Sequence, residues 1–154
     1  MAKPQVLILV GSKSDTETMQ QAFEVLKQFK IPCQMIVSSA HRNPVKTRKI
    51  AREASQKGVK VIICAAGMAA HLAGAVASET YLPVIGVPLG NSYFKGTDAF
   101  LSTLQMPYGV PVATMSVGNS GAKNAAVLAA QMLALTDKKL RKRLQEFKKS
   151  LAQG

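Results

Sequence analysis

A histidine and an arginine are adjacent in one short polar segment of the chain, Ser38-Ser39-Ala40-His41-Arg42-Asn43-Pro44. Histidine takes up and releases a proton near neutral pH, so His41 is a candidate proton carrier. The planar guanidinium of Arg42 can bind a phosphate or carboxylate through two parallel hydrogen bonds. A His-Arg pair is also common in ordinary surface loops, and a second anion-binding segment facing it would favour a functional role.

A second polar segment, Gly11-Ser12-Lys13-Ser14-Asp15, follows the first apolar run of the chain. Its glycine allows a tight turn, and its hydroxyls together with the amides of a helix N-terminus can donate hydrogen bonds to an anion. Asp15 can either cap the helix or accept a hydrogen bond from a ribose hydroxyl. An ordinary capped helix start explains the same residues, and neither a P-loop nor the three-glycine dinucleotide motif is present.

The other histidine, His71, lies among very small residues in a segment, 65–74, that also contains Gly67. Small residues let the backbone approach a ligand or another subunit closely, which makes Gly67 a candidate substrate-binding residue. His71 fits equally well as a packing residue at a helix terminus or as a support for the site. Two further polar segments with glycines, 88–98 and 118–124, suggest a mobile loop over the site and more small donors, although surface turns would explain each of them alone.

Five short apolar runs recur at even intervals and, lacking polar alternation, suit strands buried on both faces: 5–10, 33–37, 59–64, 83–87 and 110–117. Helical patterns separate these runs, at 19–29, 43–58, 68–78 and 122–135. The alternation predicts an α/β fold, a three-layer, doubly wound, flavodoxin-like arrangement with a mainly parallel five-stranded sheet and a C-terminal helix. Parallel strands place their carboxyl ends at one edge, so the polar segments should meet there.

The length of 154 residues fits one domain. We expect residues 1–136 to form a single α/β catalytic domain and residues 137–154 a basic C-terminal helical extension of that same domain. Leu140, Leu144, Phe147 and Leu151 give the extension a narrow apolar seam.

The formal net charge of +12, from 20 Lys+Arg against 8 Asp+Glu, raises the possibility of a nucleic-acid partner. Residues 137–154 carry +5 of it, and Lys13, Arg42, Lys95 and Lys123 fall in the segments at the ligand edge. This distribution favours a local positive field for a small phosphorylated ligand over a nucleic-acid surface, so we expect no nucleic-acid partner. A basic nucleotide- or nucleic-acid-binding module remains the non-enzymatic alternative.

Several other classes of protein and site fit the composition poorly. Clustered carboxylates are missing, so we expect no divalent metal, and Asp15 stands without the neighbouring acid of a phospho-acceptor domain. No apolar run approaches the roughly 20 residues of a membrane span, so no membrane partner is expected. Cys33 and Cys64 lie in apolar stretches, which predicts buried free thiols and a reducing, cytoplasmic location.

Taken in order, these segments resemble the N5-carboxyaminoimidazole ribonucleotide mutase family of purine biosynthesis, from Val6 to about Leu135. The motifs that carry the resemblance are Gly11-Ser-x-Ser-Asp15, Ser39-Ala-His-Arg42 with Pro44, Ala69-Ala-His-Leu72 with Gly74, Gln105-Met-Pro107 followed by Gly109-Val-Pro-Val-Ala-Thr114, and Gly121-Ala-x-Asn-Ala-Ala126. Each motif is weak alone, and their occurrence together at matching separations is specific. Residues 89–95, Ala99 and Tyr108 depart from the family pattern.

The resemblance implies a cofactor-free isomerase that moves a carboxylate from the exocyclic nitrogen of a phosphorylated imidazole ribonucleotide to ring carbon C4. Release and recapture of CO2 inside a closed pocket is the implied path, with His41 as the catalytic group that handles the C4 proton. The implied substrate-binding residues are Ser12, Ser14, Asp15, Ser39 and Arg42, with His71 bordering the pocket. A homo-octamer is also implied.

A second branch of the family carboxylates aminoimidazole ribonucleotide directly with CO2. That branch has a lysine after the catalytic histidine and lacks the Ala-Ala-His-Leu segment. Arg42 and residues 69–72 therefore favour the mutase branch, and direct carboxylation is the alternative reaction.

Overall fold

The structure, a computed structural model, describes residues 3–153, in which strands and helices alternate along the chain. Strands β1 to β5 span, in order, Val6–Val10, Cys33–Val37, Val61–Gly67, Val84–Leu89 and Ala113–Thr114. Helices α1 to α6 span Thr16–Gln28, Pro44–Glu53, Leu72–Ala77, Thr97–Leu104, Asn119–Ala134 and Lys138–Leu151.

The five strands form one parallel sheet in the order β2-β1-β3-β4-β5. The chain leaves β1 toward β2 on one side and returns to the other side of β1 for β3. Val6 of β1 therefore pairs in register with both Cys33 and Val61. Strand order reverses between β1 and β3, which is where open parallel sheets bind their ligands. The predicted flavodoxin-like α/β fold is confirmed.

Both faces of the sheet are covered by helices, which explains why the strands lack polar alternation. Val6, Ile8 and Val10 of β1 pack into a cluster with residues of α1, α5 and α6. The intervening Leu7 and Leu9 pack into a second cluster, with residues of α2 and α3. Every residue of β1 is buried, so the central strand is a rigid base for the segment that follows it.

Helix α6 belongs to the first of these two clusters. Leu140 and Leu144 are buried there, and the Phe147 ring meets the Phe29 ring edge to face, with centroids 5.3 Å apart. Leu151 is 61% exposed, so the predicted apolar seam is wrong at that position and ends at Phe147. The basic residues opposite the seam lie mostly at the surface.

Several predicted boundaries are wrong. Strand β5 covers only two residues of the predicted run 110–117. Helix α2 ends at Glu53, and a 3-10 turn, Ser55–Lys57, closes on the left-handed Gly58. Strand β3 extends to Gly67, which delays the start of α3 to Leu72, while α5 begins earlier than predicted, at Asn119. Within residues 3–153, none of the helices combines the length and apolar character of a membrane span.

Candidate functional site

A cavity of about 520 Å³ lies at the carboxyl edge of the sheet. The segments that follow β1, β2 and β3 supply most of its wall, and the segment after β4 adds one side chain. Its volume falls within the range of small-molecule sites, roughly 300 to 1,000 Å³. The lining residues are Gly11, Ser12, Asp15, Ser39, Ala40, His41, Arg42, Ala66, Gly67, Met68, Ala69, His71, Leu72 and Asn91.

The cavity collects seven of the eight site residues proposed from the sequence, namely Ser12, Asp15, Ser39, His41, Arg42, Gly67 and His71. The eighth, Ser14, lines a neighbouring cavity of about 230 Å³ instead. The Ser14 and Ser12 hydroxyl oxygens lie 2.5 Å apart, so a hydrogen bond still connects Ser14 to the larger cavity.

The two histidines form a pair. His41 Nε2 lies 3.2 Å from His71 Nδ1, and the ring centroids are 5.1 Å apart. A hydrogen bond between rings needs a proton on one facing nitrogen and a lone pair on the other. The pair can therefore hold one proton between the rings, and the cavity can exchange it because both residues are exposed. His71 contacts His41 directly, which favours the supporting role over simple helix-end packing.

Arg42 ties the second polar segment to the first. Its Nη2 donates to the backbone carbonyl of Gly11 at 3.0 Å, and its backbone N–H donates to Ser39 Oγ at 3.1 Å. Helix α2 begins just beyond, where Asn43 Oδ1 accepts from the backbone N–H of Lys46. A cap of this kind holds the loop end of a helix in place, so the exposed guanidinium stands over the cavity from an anchored segment.

Asp15 is held at both carboxylate oxygens. Oδ2 accepts from the backbone N–H of Ser12 at 2.9 Å, and Oδ1 accepts from Asn91 Nδ2 at 3.1 Å. The residue is only 4% exposed, although it lines the cavity. Asp15 therefore takes part in a capping box on the 3-10 turn Lys13–Asp15, whereas its side chain makes no capping hydrogen bond to α1. The Ser14 hydroxyl also approaches Oδ1, at 3.5 Å, so Oδ2 is the oxygen that keeps a lone pair for a ligand hydroxyl.

Asn91 is a lining residue that the sequence reasoning missed. It stands two residues beyond the end of β4, in the segment interpreted as a mobile loop. Its position in the sequence could have identified it, because a polar side chain just past the carboxyl end of a parallel strand lies at the ligand edge.

The fifth polar segment and most of the basic residues assigned to the ligand edge do not reach the cavity. Of Lys13, Arg42, Lys95 and Lys123, only Arg42 lines it. Lys123 lies in α5, which begins at Asn119, so most of segment 118–124 is helix rather than loop. The local positive field proposed from the sequence therefore rests on a single guanidinium at the cavity wall of the described chain.

Residues 3–153 contain no cluster of three side chains suited to holding a metal ion. Both cysteines are free, but the prediction that both are buried is wrong for Cys33, which is partly exposed. Burial raises the pKa of the Cys64 thiol far above its usual range. Partial burial and the nearby Glu24 carboxylate raise the pKa of Cys33 as well.

Comparisons with known proteins agree over nearly the whole chain. A model of the family described as AIR carboxylase matches residues 5–154. The N5-carboxyaminoimidazole ribonucleotide mutase of Saccharolobus solfataricus is 49% identical over 148 residues, covering 96% of this chain and 92% of that protein. The mutase of the same name from Escherichia coli K12 is 47% identical over 146 residues, covering 95% of this chain and 86% of that protein. A crystal structure of Treponema denticola PurE superposes with a TM-score of 0.87 at 31% identity, covering 97% of this chain and 92% of that one.

Proposed function

The chain belongs to the AIR carboxylase family, and from this membership we propose that it converts N5-carboxyaminoimidazole ribonucleotide to the 4-carboxy isomer in purine biosynthesis. One observation carries the proposal. A histidine pair, an arginine and the Ser12–Asp15 turn line a single cavity of nucleotide size, in a chain nearly half identical to proteins with that mutase name.

The reaction needs a proton to move twice and leaves no net change in protonation. When the N–C bond to the carboxylate breaks, CO2 leaves and the exocyclic nitrogen takes a proton. C4 then attacks the CO2, and the C4 proton departs to restore the aromatic ring. We assign both transfers to His41, because one group can give the first proton and recover the second.

His71 supports the proton carrier. The contact between His41 Nε2 and His71 Nδ1, 3.2 Å, restricts the orientation of the catalytic ring and gives its proton a second place to rest. Two rings that share one proton can alternate between acid and base. A dry cavity serves this chemistry, since trapped CO2 must meet C4 before it escapes.

Binding of the ribonucleotide follows from the donors and acceptors at the wall. The Arg42 guanidinium and the hydroxyls of Ser12 and Ser39 suit the phosphate. The Asp15 carboxylate suits a ribose hydroxyl, and Gly67 lines the same cavity. Ser14 acts through its hydrogen bond to Ser12.

A direct assay tests the function. The purified chain is expected to isomerise N5-carboxyaminoimidazole ribonucleotide without ATP or metal, and His41→Ala should lose about 100-fold to 10,000-fold in kcat. Gln20→Ala, an exposed change on α1, is the matched control and should keep full activity. Full turnover by His41→Ala would contradict the assigned mechanism. Product from aminoimidazole ribonucleotide and bicarbonate, with the N-carboxy compound unused, would replace the mutase with a direct carboxylase.

We further propose that the chain works as a cytoplasmic homo-octamer, with residues 137–154 as an extension of the single domain 1–136. Large apolar side chains around α4 support the assembly, because Tyr93, Phe94, Leu101, Leu104 and Tyr108 are each at least 47% exposed. Sedimentation should give a mass of eight times the 16.4 kDa chain. A monomeric mass at working concentration would refute the octamer and leave the mutase proposal standing.

A further inference from the structure

The Asn91 side chain reaches across one strand of the sheet to contact the segment after another. Asn91 follows β4, whereas Asp15 follows β1, and β3 lies between those two strands. Asn91 Nδ2 nevertheless donates to Asp15 Oδ1 at 3.1 Å. The bond joins residues 76 positions apart in the chain.

Gly67, the last residue of β3, makes this crossing possible. A Cβ added there would overlap Asn91 Oδ1 and lie 2.8 Å from Asn91 Cγ. The Asn91 carboxamide therefore occupies the space that a side chain on β3 would take. Glycine is required at position 67 by this close approach, and no left-handed backbone is involved.

Asp15 and Asn91 together separate two cavities. They are the two residues that line both the cavity of about 520 Å³, which contains the histidine pair, and the cavity of about 230 Å³ beside Ser14. Their hydrogen bond thus belongs to a shared wall. Any rotation of the Asp15 carboxylate would change the shape of both spaces.

We propose that Asn91 is a positioning residue, which holds the Asp15 carboxylate in the orientation that binds the substrate. The proposal rests on the proposed function and adds to it a residue from β4. Only the amide nitrogen of Asn91 can donate to the carboxylate, so the direction of the bond fixes the rotamer of Asn91 as well. The bond also ties the segment after β4 to the substrate cavity.

The charges around Asp15 make this bond sensitive to substitution. The titratable or charged groups that share the larger cavity with Asp15 are Arg42, His41 and His71, and the smaller cavity adds none to them. A neutral donor at position 91 leaves Asp15 as the one acid at this wall. A second carboxylate at hydrogen-bond distance could not ionise together with the first, so the two would share a proton.

Two substitutions at position 91 and one control test the proposal. Asn91→Ala removes the donor and is expected to raise KM about tenfold with little change in kcat. Asn91→Asp keeps the shape but sets a second carboxylate against Asp15, so its KM should rise more steeply with pH than the wild-type KM as the shared proton is lost. Ser92→Ala is the control, because it removes a 2.7 Å bond to Asp98 in the same segment without touching either cavity. It should leave KM and its pH dependence unchanged.

An Asn91→Asp enzyme whose KM follows the wild-type pH profile would overturn the proposal, as would an Asn91→Ala enzyme with wild-type KM. Difference infrared spectroscopy separates this result from a failure of the proposed function. A protonated carboxyl group should persist to a higher pH in Asn91→Asp than in the wild type and Ser92→Ala, whether or not the chain turns over the substrate. An Asn91→Asp carboxyl band that titrates as in the wild type would refute the Asp15–Asn91 contact itself, whereas absence of wild-type turnover would refute the function.

Discussion

Replacing Gly67 with alanine tests whether Asn91 really fills the space above β3. The three atoms nearest to an added Cβ all belong to the Asn91 carboxamide, including Cγ at 2.8 Å and Nδ2 at 3.2 Å. Gly67 has no positive φ, so its backbone accepts alanine without strain. The only obstacle within 3.2 Å is therefore one polar side chain, which must move and break its bond to Asp15.

The size of the effect follows from two opposing contributions. A hydrogen bond to a charged group stabilises by about 1.5 kcal/mol at the lower end of its range, the appropriate end for the exposed Asn91. Alanine in place of a compatible glycine stabilises by about 0.4 to 1 kcal/mol through the unfolded chain. Gly67→Ala should therefore destabilise the wild type by roughly 0.5 to 1 kcal/mol. In an Asn91→Ala background the obstacle is gone, and the same change should stabilise by about 0.4 to 1 kcal/mol.

The assay is a double-mutant cycle on the free energy of unfolding. Denaturant unfolding of the wild type, both single variants and the double variant at one chain concentration should give a coupling of about 1.5 kcal/mol. Gly11→Ala is the matched control, since its Cβ would meet Asp15 Oδ2 at an ordinary 3.4 Å. It should show no coupling to Asn91→Ala. Equal effects of Gly67→Ala in the two backgrounds would refute the reasoning, because the methyl group would then not be meeting Asn91.

Three further predictions concern packing, acid stability and thiol reactivity. Gly121→Ala would drive a methyl group into the Ser116 carbonyl, whose carbon lies 2.7 Å away, and should lower the free energy of unfolding by about 1 to 3 kcal/mol. Hydrogen bonds from the α6 backbone lower the pKa of Asp137, so Asp137→Ala should lower Tm at neutral pH, with the difference shrinking as pH falls below 3.8. A thiol reagent should modify the partly exposed Cys33 before the buried Cys64, which should react only on unfolding.

Each of these three has a control and a refuting result. Ser120→Ala, an exposed change in the first turn of α5, should leave stability unchanged, and a harmless Gly121→Ala would mean that the helix does not pack on Ser116. The sign of the acid effect follows from the lowered pKa, since ionised Asp137 stabilises above its ordinary value of 3.8 and loses this as it is protonated. Asp137→Asn keeps the cap acceptor without the charge, and a Tm difference for Asp137→Ala that stays undiminished in acid would exclude the carboxylate charge as its source. Equal reaction rates at the two thiols would contradict the burial of Cys64.

The sequence was sufficient to predict the fold class, because a strand buried on both faces of a sheet appears in the sequence as a short, continuous apolar run. Strand β2 lies at the predicted residues, Cys33–Val37, and β1 differs from its prediction by one residue. The predicted bounds failed for the last strand, where an apolar run does not form a strand along its whole length. Strand β5 is two residues long although the apolar run around it spans eight, because an apolar count does not test whether the backbone pairs with a neighbouring strand.

Most of the candidate site was also readable from the sequence, since parallel strands bring their following segments to one edge. The sequence did not predict which of these segments lie close enough to share the cavity. The cavity lies where β2, β1 and β3 are neighbours, and β5 is three strand spacings, about 14 Å, from β1. The polar segment after β5 was assigned to the site from its composition, but that distance keeps it from the described cavity.

The amino-acid sequence by itself determined the strand and helix alternation, the edge that carries the chemistry and the residue types available there. Only the tertiary structure decided which of those side chains touch. His41 and His71 are 30 positions apart and become partners because β2 and β3 flank the same strand. Asn91 joins Asp15 because a glycine at the end of β3 leaves the space open. Strand order and close approach are properties of the packed sheet, so no local pattern in the chain specifies them.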